Sequence, residues 1–587
     1  MPDLLTPRRR IALAALAAGL LVVVAPWIVD TYTASILARA FFVAIAALTV
    51  DVLWGYSGVL TFGQSAFFGI GAYALAMTFT HVGFDAGGIA LAFGLAVIVA
   101  GLVAALVGWL SFYHGSTPLY ASVVSLVLPI VLVQLIYAGG ETTGSSSGLV
   151  GFQTFDLDLE TWFRLAGLAT VAVAAAGYLL LHSDAGRILA ALRDNEARCS
   201  YIGINVERLR LGILVVCAIV AALAGLGHAA LGGVAAPENA SFVFGTQLVI
   251  MVALGGRGTL LGAVLGALGI ELASAYLSGS LPFIWELIVG IAFVAVIVLF
   301  PAGLIGALRR LIPGDRADAA PRLQTAAPLP RADRDMMVEA RGVTRQFGSL
   351  AVLNGVSFSA RRGELVSLVG PNGAGKTTLI RCLADGLERT GGEISIVGRP
   401  IGRLPPHRLV AFGLGRKFQA ASVFNTLTVA DCLRIARSRR DPMSWFDRSP
   451  VLSLPQAARQ VIEGGGLGDR LGDVAGDLSH GLKQALELAM VLALEPDVVL
   501  LDEPTAGLTR AERSAFGAIL TDLVRREGLC VLLVEHDLDF VREISSRIIV
   551  LHQGQIALDG TVEQVVNAPL VHEIYTGGHV PTAETAS

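Results

Sequence analysis

Apolar residues run in long, nearly unbroken blocks through the first three hundred or so positions of the chain, and in short alternating stretches after that. A helix that crosses a bilayer needs about 20 mostly apolar residues. Blocks at roughly 11–29, 34–54, 62–80, 89–110, 117–138, 162–182, 209–231, 243–256, 259–278 and 283–303 meet that need. The eighth is short and runs into Gly255-Gly256-Arg257-Gly258, so a re-entrant or broken segment is expected there. The pattern predicts about ten transmembrane helices, or eight to nine if such segments do not cross. Arg8-Arg9-Arg10 ahead of the apolar run from Ile11 has the form of a signal peptide. The run continues to about Val29 and further spans follow, so it reads as a retained first helix.

The later pattern is different. From Leu311 to Asp335 the chain turns rich in Pro, Ala, Arg and Asp and reads as an extended tether. Alternation around Val338–Phe358 predicts an antiparallel sheet. The strand Glu364–Val369 then leads into a glycine-rich loop and a helix over Lys376–Leu387, and Val498–Leu501 and Cys530–Val534 read as buried parallel strands. The expected fold is a multi-pass α-helical membrane domain fused to an α/β P-loop domain. Its divisions are a transmembrane domain over 1–308, a linker over 309–335, a nucleotide-binding domain over 336–580 and a flexible tail over 581–587.

Composition agrees with a divided chain: over 587 residues, 54% are hydrophobic and 15% charged, far from a soluble average. The net charge of −4 is spread over both parts, which argues against a nucleic-acid partner. Cys199, Cys217, Cys382, Cys432 and Cys530 are scattered, with no metal-ligand spacing or disulfide framework among them. The placement of arginine orients the membrane half. Arg8–Arg10, Arg187, Arg193, Arg198, Arg208, Arg257 and Arg309-Arg310 fall on one side of a ten-span arrangement, while the loops 30–33, 81–88, 139–161, 232–242 and 279–282 carry neither lysine nor arginine. The arginine side is expected to be cytoplasmic, which puts the nucleotide-binding domain inside the cell with its membrane half in contact with lipid.

Two features break the apolar half. The stretch Tyr56–Phe67 interrupts a membrane segment with polar groups, and irregular backbone at that depth is tolerated beside protein or a water-filled cavity. Ser57, Thr61, Gln64 and Ser65 are therefore candidates for a substrate path. Asp51, Glu271 and Glu286 are the main ionisable residues within the spans. A path this neutral is compatible with a small, polar, uncharged or zwitterionic solute. Ala185–Tyr201, in the longest cytoplasmic loop, has helical composition and could dock onto a soluble domain.

Gly370-Pro-Asn372-Gly373-Ala-Gly375-Lys376-Thr377-Thr378 fits G-x-x-x-x-G-K-[ST], and no lysine precedes Lys376 in the chain. Between a strand and a helix, such glycines let backbone N–H groups wrap phosphates at the helix's positive end. Lys376 would supply a compact charge to the β- and γ-phosphates of ATP, and Thr377 a hydroxyl to Mg²⁺. The strand at Val498 ends in Asp502-Glu503, where Asp502 would hold Mg²⁺ through its shell and Glu503 would polarise the attacking water. His536 follows the next strand at a position suited to a γ-phosphate contact.

With these residues in order, and with Gln419 after Arg416-Lys417-Phe418 and Leu478-Ser479-His480-Gly481 between them, the segment from about 337 to 578 resembles an ATP-binding-cassette ATPase. The resemblance implies that Phe347 stacks on adenine and that Gln419 serves the Mg²⁺ and the attacking water. It also implies that Ser479 and Gly481 serve a nucleotide bound at a partner's Lys376 site. The usual signature is Leu-Ser-Gly-Gly-Gln; His480 and Leu482 depart from it.

The membrane half is similar to permeases that import branched-chain amino acids, urea and short amides, on Gly58–Phe67, the Gly144–Gly151 loop and Gly255–Val264. Arg193, Glu196 and Gly203 lie where those permeases carry their coupling loop. The two resemblances together imply an importer half-transporter in a bacterial-type cytoplasmic (inner) membrane. It would work as a homodimer or with a related permease–ATPase chain, and with an extracytoplasmic solute-binding protein. Branched-chain or other hydrophobic amino acids are the expected cargo, with urea or short amides as the alternative. An exporter and an ATP-dependent membrane sensor are the rival readings. Mostly short cytoplasmic loops and the number of spans weigh against the exporter.

Overall fold

A computed structural model describes residues 7–113, 118–280, 284–299, 303, 305–306, 321–329, 334–441, 443–445 and 448–571. By their contacts the residues fall into two units. One comprises Met1–Arg193, Val206–Arg316 and Ser444–Arg448; the other comprises Asp194–Asn205, Ala317–Met443 and Ser449–Ser587. Much of the 309–335 stretch, the 581–587 tail and the side chain of Glu286 lie outside the described residues.

The first unit is helical. Its long elements are α1 (Pro7–Val24), α2 (Thr31–Asp51), α3 (Gln64–His81), α4 (Ala86–Phe112), α5 (Pro118–Ala138) and α6 (Leu159–Leu181). After α7 (Asp184–Asp194) and α8 (Glu196–Tyr201) come α9 (Val206–Gly232), α10 (Phe242–Gly255), α11 (Leu260–Ser280) and α12 (Trp285–Leu299). Each of the ten apolar blocks thus contains a helix. Among the described residues six are long and apolar enough to cross a membrane by length and composition: Thr31–Tyr56, Ala86–Phe112, Leu119–Ala138, Leu159–Leu181, Val206–Gly232 and Leu260–Gly279. Ile11–Trp27 and Phe242–Gly255 are apolar but shorter. Helix α3 is enclosed by other helices along almost its whole length, which allows it to carry Gln64, Ser65 and Thr78.

Four of these helices start the same way. Asp30, Asp85, Asp158 and Ser241 accept hydrogen bonds from Thr33, Gly88, Thr161 and Phe244 backbone N–H groups, capping α2, α4, α6 and α10. All four caps lie in or at the edge of loops without lysine or arginine. At its other end α2 widens into a π-helical turn over Val52–Tyr56, and arginines satisfy the freed carbonyls there. Arg193 donates to Gly55 O at 2.7 Å and Arg257 to Trp54 O at 3.2 Å, while Asp51 Oδ1 accepts from Gly258 N at 2.6 Å. Helices α3 and α9 cross closely at reciprocal glycines. A Cβ on Gly225 would lie 2.6 Å from the Phe68 carbonyl carbon, and one on Gly71 would lie 2.9 Å from Ala222 Cα. Small residues buy this approach where lipid removes the hydrophobic drive between helices.

The second unit is α/β. Strands β1 (Met336–Phe347), β2 (Leu350–Arg361) and β4 (Gly391–Ile396) form an antiparallel sheet with the short strand Arg399–Pro400, in the order β2-β1-β4-edge. The second sheet uses β3 (Leu365–Val369), β5 (Leu414–Lys417), β6 (Val498–Asp502), β7 (Cys530–Val534), β8 (Arg547–His552) and β9 (Gln555–Gly560). Its order is β9-β8-β3-β7-β6-β5, parallel except for the β8–β9 hairpin. Every residue of β3, β6 and β7 is buried, Ser367 and Asp502 included, as their mostly apolar runs require of central parallel strands. Helix α13 (Lys376–Ala384) follows β3, and α14 (His480–Ala493) precedes β6.

Three expectations need correction. The tether is not free throughout: Arg322–Thr325 pairs in parallel with Val451–Leu454, and Ala326 N donates to Leu454 O at 2.8 Å. An extended Arg-Leu-Gln-Thr segment without proline can present its backbone to an open strand edge, which composition alone did not reveal. The helix expected over Ala185–Tyr201 is two helices, because Asn195 adopts an extended backbone and caps α8 by accepting from Arg198 N at 2.9 Å. The helix after the glycine loop ends at Ala384, three residues short of Leu387.

Candidate nucleotide site

The glycine loop lies at the C-terminal end of β3, where parallel strands of this kind present ligands to the following helix. Gly370, Gly373 and Gly375 have φ of +147°, +81° and +99°, conformations closed to side chains, so the loop's glycines are demanded by its path. Within this cradle Lys376 folds back over the loop, its Nζ donating to Gly370 O at 2.6 Å and Pro371 O at 3.0 Å. Burial lowers its pKa, while Glu503 and Asp502 favour its charge. Asn372 is exposed at the loop's tip, and Thr377 and Thr378 open α13.

The strand β6 delivers Asp502 to the same place, where Thr377 Oγ1 donates to Asp502 Oδ1 at 3.2 Å. Burial pushes the Asp502 carboxyl upward, against Arg416 and the Thr377 hydroxyl. The next residue, Glu503, sits at φ +43°, a strained backbone for a non-glycine side chain and of the kind found at functional sites. Glu503 N is bonded to Val534 O at 2.9 Å, and Gln419 Nε2 donates to Glu503 Oε2 at 2.8 Å. His536 Nδ1 lies 3.9 Å from Glu503 Oε1 on a largely exposed ring. Lys376, Thr377, Gln419, Asp502, Glu503 and His536 are thereby linked in one surface.

Thr377, Gln419 and Asp502 offer a hydroxyl, an amide oxygen and a carboxylate. A hard donor set with a single carboxylate fits Mg²⁺, which takes its remaining ligands from water and phosphate. Phe347 is half-exposed with the Arg345 guanidinium 4.3 Å from its ring centre, leaving an aromatic surface at the end of β1.

Ser479 and Gly481 are placed elsewhere. Ser479 caps α14, its Oγ accepting from Leu482 N at 3.5 Å, and neither residue hydrogen-bonds to the glycine loop among the described residues. His480 Nε2 lies 3.2 Å from Ala506 O, so the unusual third signature residue ties α14 to the turn after Glu503. In the membrane unit Ser57, Thr61, Gln64 and Ser65 are all buried. Ser57 donates to Leu53 O at 2.7 Å and Thr61 accepts from Gly63 N at 3.2 Å, whereas Gln64 accepts from the Thr49 hydroxyl of α2 at 3.2 Å and its buried Nε2 makes no hydrogen bond. Thr61 also lines a small cavity of about 20 Å³.

The coupling-loop expectation named Arg193, Glu196 and Gly203. Arg193 bonds to Gly55 in the helical unit, Glu196 is half-buried, and Gly203 turns the chain at φ +97°. The residue that anchors the segment is Arg198, which the sequence marks only as one of the arginines on the cytoplasmic side. It is fully buried in the α/β unit and donates to Arg416 O at 2.9 Å and Glu487 O at 3.2 Å, with Glu487 Oε1 at 3.4 Å. Asp194 Oδ2 accepts from Thr426 N at 2.7 Å, and Asn195 donates to Ser422 at 2.9 Å. One signal for this cluster was available: Glu487 is a lone carboxylate in the apolar run Leu486–Leu492.

Residues 32–297 match the family described as "Branched-chain amino acid transport system / permease component", and residues 353–506 match "ABC transporter". The high-affinity branched-chain amino acid transport ATP-binding protein BraF of Pseudomonas aeruginosa is 35% identical over 250 residues, spanning 41% of this chain and 98% of that protein. LivG of Escherichia coli K12, described in the same words, is 32% identical over 249 residues with the same shares. The crystal structure of an ATP-binding cassette of an ABC transporter in its ADP conformation aligns with a TM-score of 0.36 at 26% identity, covering 41% of this chain and 99% of that one. The chain belongs to the ABC transporters, joining a permease component of the branched-chain amino acid type and an ATP-hydrolysing cassette in one polypeptide.

Proposed function

We propose that this chain is an importer half-transporter that moves branched-chain or other hydrophobic amino acids inward across a cytoplasmic membrane, its cassette facing the cytoplasm. What carries the reading is that the permease half and the ATPase half are each, independently, similar to components of branched-chain amino acid transport. ATP is held by Phe347 at the base and by Gly370–Thr378 at the phosphates. Mg²⁺ would be held by Thr377, Gln419 and Asp502, where it would offset the charge of the phosphates. Glu503 takes a proton from the attacking water, oriented by Gln419 and His536. A second copy, or a related chain, supplies Ser479 and Gly481 across the nucleotide, and a solute-binding protein delivers cargo from outside.

The test is hydrolysis by the purified chain in lipid nanodiscs with and without a leucine-loaded solute-binding protein. Stimulation by the loaded protein is expected. Equal turnover with and without it, or stimulation only by a urea-loaded protein, would replace the amino-acid reading.

A further inference from the structure

Glu487 lies in the middle of α14, between Leu486 and Leu488, both fully buried, and its own side chain has no exposed surface. Its Oε1 accepts from Phe418 N at 3.0 Å and lies 3.4 Å from Arg198 Nη1; Oε2 is 3.6 Å from Lys417 Nζ. The side chains of Arg198 and Lys417 are equally sequestered. Burial works against charge on Lys417, and Glu487 works for it. Two cations and one anion in a dry interior cost several kcal/mol per ion before their attraction is counted, and well-packed apolar replacements of such groups are often neutral or stabilising. Stability alone therefore does not explain the choice of residues.

Position does. Phe418 carries the backbone donor immediately before Gln419, whose Nε2 reaches Glu503 at 2.8 Å. The same stretch is gripped by the 194–205 segment. Arg198 donates to Arg416 O, the Arg416 guanidinium donates to Tyr201 Oη at 2.7 Å, and the Tyr201 ring meets Phe418 edge-on at 5.1 Å. A displacement of about 1 Å at groups of this kind costs on the order of 10²-fold in rate.

We propose that Glu487 is a positioning residue for ATP hydrolysis, holding Phe418 so that Gln419 meets Glu503, and that Arg198 is the counter-charge that keeps Glu487 in place. The proposal rests on the roles given to Gln419 and Glu503 above.

The test compares the full-length chain in nanodiscs with Glu487→Gln, Arg198→Met and the triple variant Arg198→Met/Lys417→Met/Glu487→Leu. Both single variants are expected to lose about tenfold or more in kcat with KM for ATP within about twofold of the parent. The triple variant should recover the parent's melting temperature while its kcat stays low. Recovery of kcat together with melting temperature would make the cluster structural only and overturn the proposal. So would a rise in KM at unchanged kcat. Amide hydrogen exchange at Phe418 should accelerate in the triple variant, where Glu487→Leu leaves no acceptor for its N–H; unchanged exchange also overturns it. Glu503→Gln, run in parallel, separates the two levels. If it turns over normally the assignment of the site is wrong, whereas loss in Glu503→Gln with normal turnover in Glu487→Gln refutes this proposal alone.

Discussion

Replacing Glu503 by glutamine removes a base while leaving its surroundings nearly unchanged. The backbone of Glu503 is held at φ +43° by its own N–H bond to Val534 O, which does not involve the side chain. The amide is the same size as the carboxylate, and its oxygen can still accept from Gln419 Nε2, now 2.8 Å from Oε2. Lys376 and the glycine loop are untouched, so the phosphate cradle should bind as before. What is lost is proton acceptance from the attacking water, an effect worth roughly 10²–10⁴-fold, or about 2.7–5.4 kcal/mol of barrier at 1.36 kcal/mol per decade. Phosphate release by the purified chain in nanodiscs should fall by at least about 10²-fold with KM for ATP within about twofold, and ATP should remain bound after gel filtration. A kcat within about threefold of the parent would show that another group activates the water. A tenfold rise in KM at unchanged kcat would show that Glu503 serves binding.

Other consequences are as direct. Lys376→Ala should abolish measurable hydrolysis, because its Nζ is the only lysine charge brought to the glycine loop among the described residues; normal turnover would remove the phosphate-loop assignment. Gly225→Ala should force α3 and α9 apart at Phe68 and cost about 1–3 kcal/mol as overpacking; an unchanged thermal melt in detergent would contradict the crossing. Gln324→Pro, set between the donors Arg322 N and Ala326 N on the edge paired with Val451–Leu454, should speed proteolysis within 321–329 without changing ATP hydrolysis. Equal cleavage rates would mean that the strand pairing does not persist in solution.

Much of the molecule could be read from local pattern. The apolar blocks announce helices because lipid demands length and low charge, and the loop from Gly370 to Thr378 is legible because its backbone path excludes side chains. Asp502 and Glu503 stand out as polar residues ending a buried apolar strand. What was not legible depends on partners far away in the chain. Arg198 meets Glu487 across 289 positions, and nothing near Arg198 distinguishes it from the other arginines of its loop. Arg322–Thr325 becomes a strand only because Val451–Leu454 offers an edge. The polar groups from Ser57 to Ser65 depend on such partners too: Ser57 and Thr61 bond to nearby backbone, whereas Gln64 accepts from Thr49 and its buried Nε2 makes no hydrogen bond.

Directional accumulation of cargo tests the central claim most directly. The chain, reconstituted in proteoliposomes with its cassette accessible from the side where Mg-ATP is supplied, would be given radiolabelled leucine, loaded on a solute-binding protein, on the opposite side. The account predicts ATP-dependent transfer of leucine toward the cassette side, competed by isoleucine and valine, indifferent to urea, and absent in Lys376→Ala. Transfer away from the cassette side, or ATP-dependent transfer of urea with none of leucine, would contradict it.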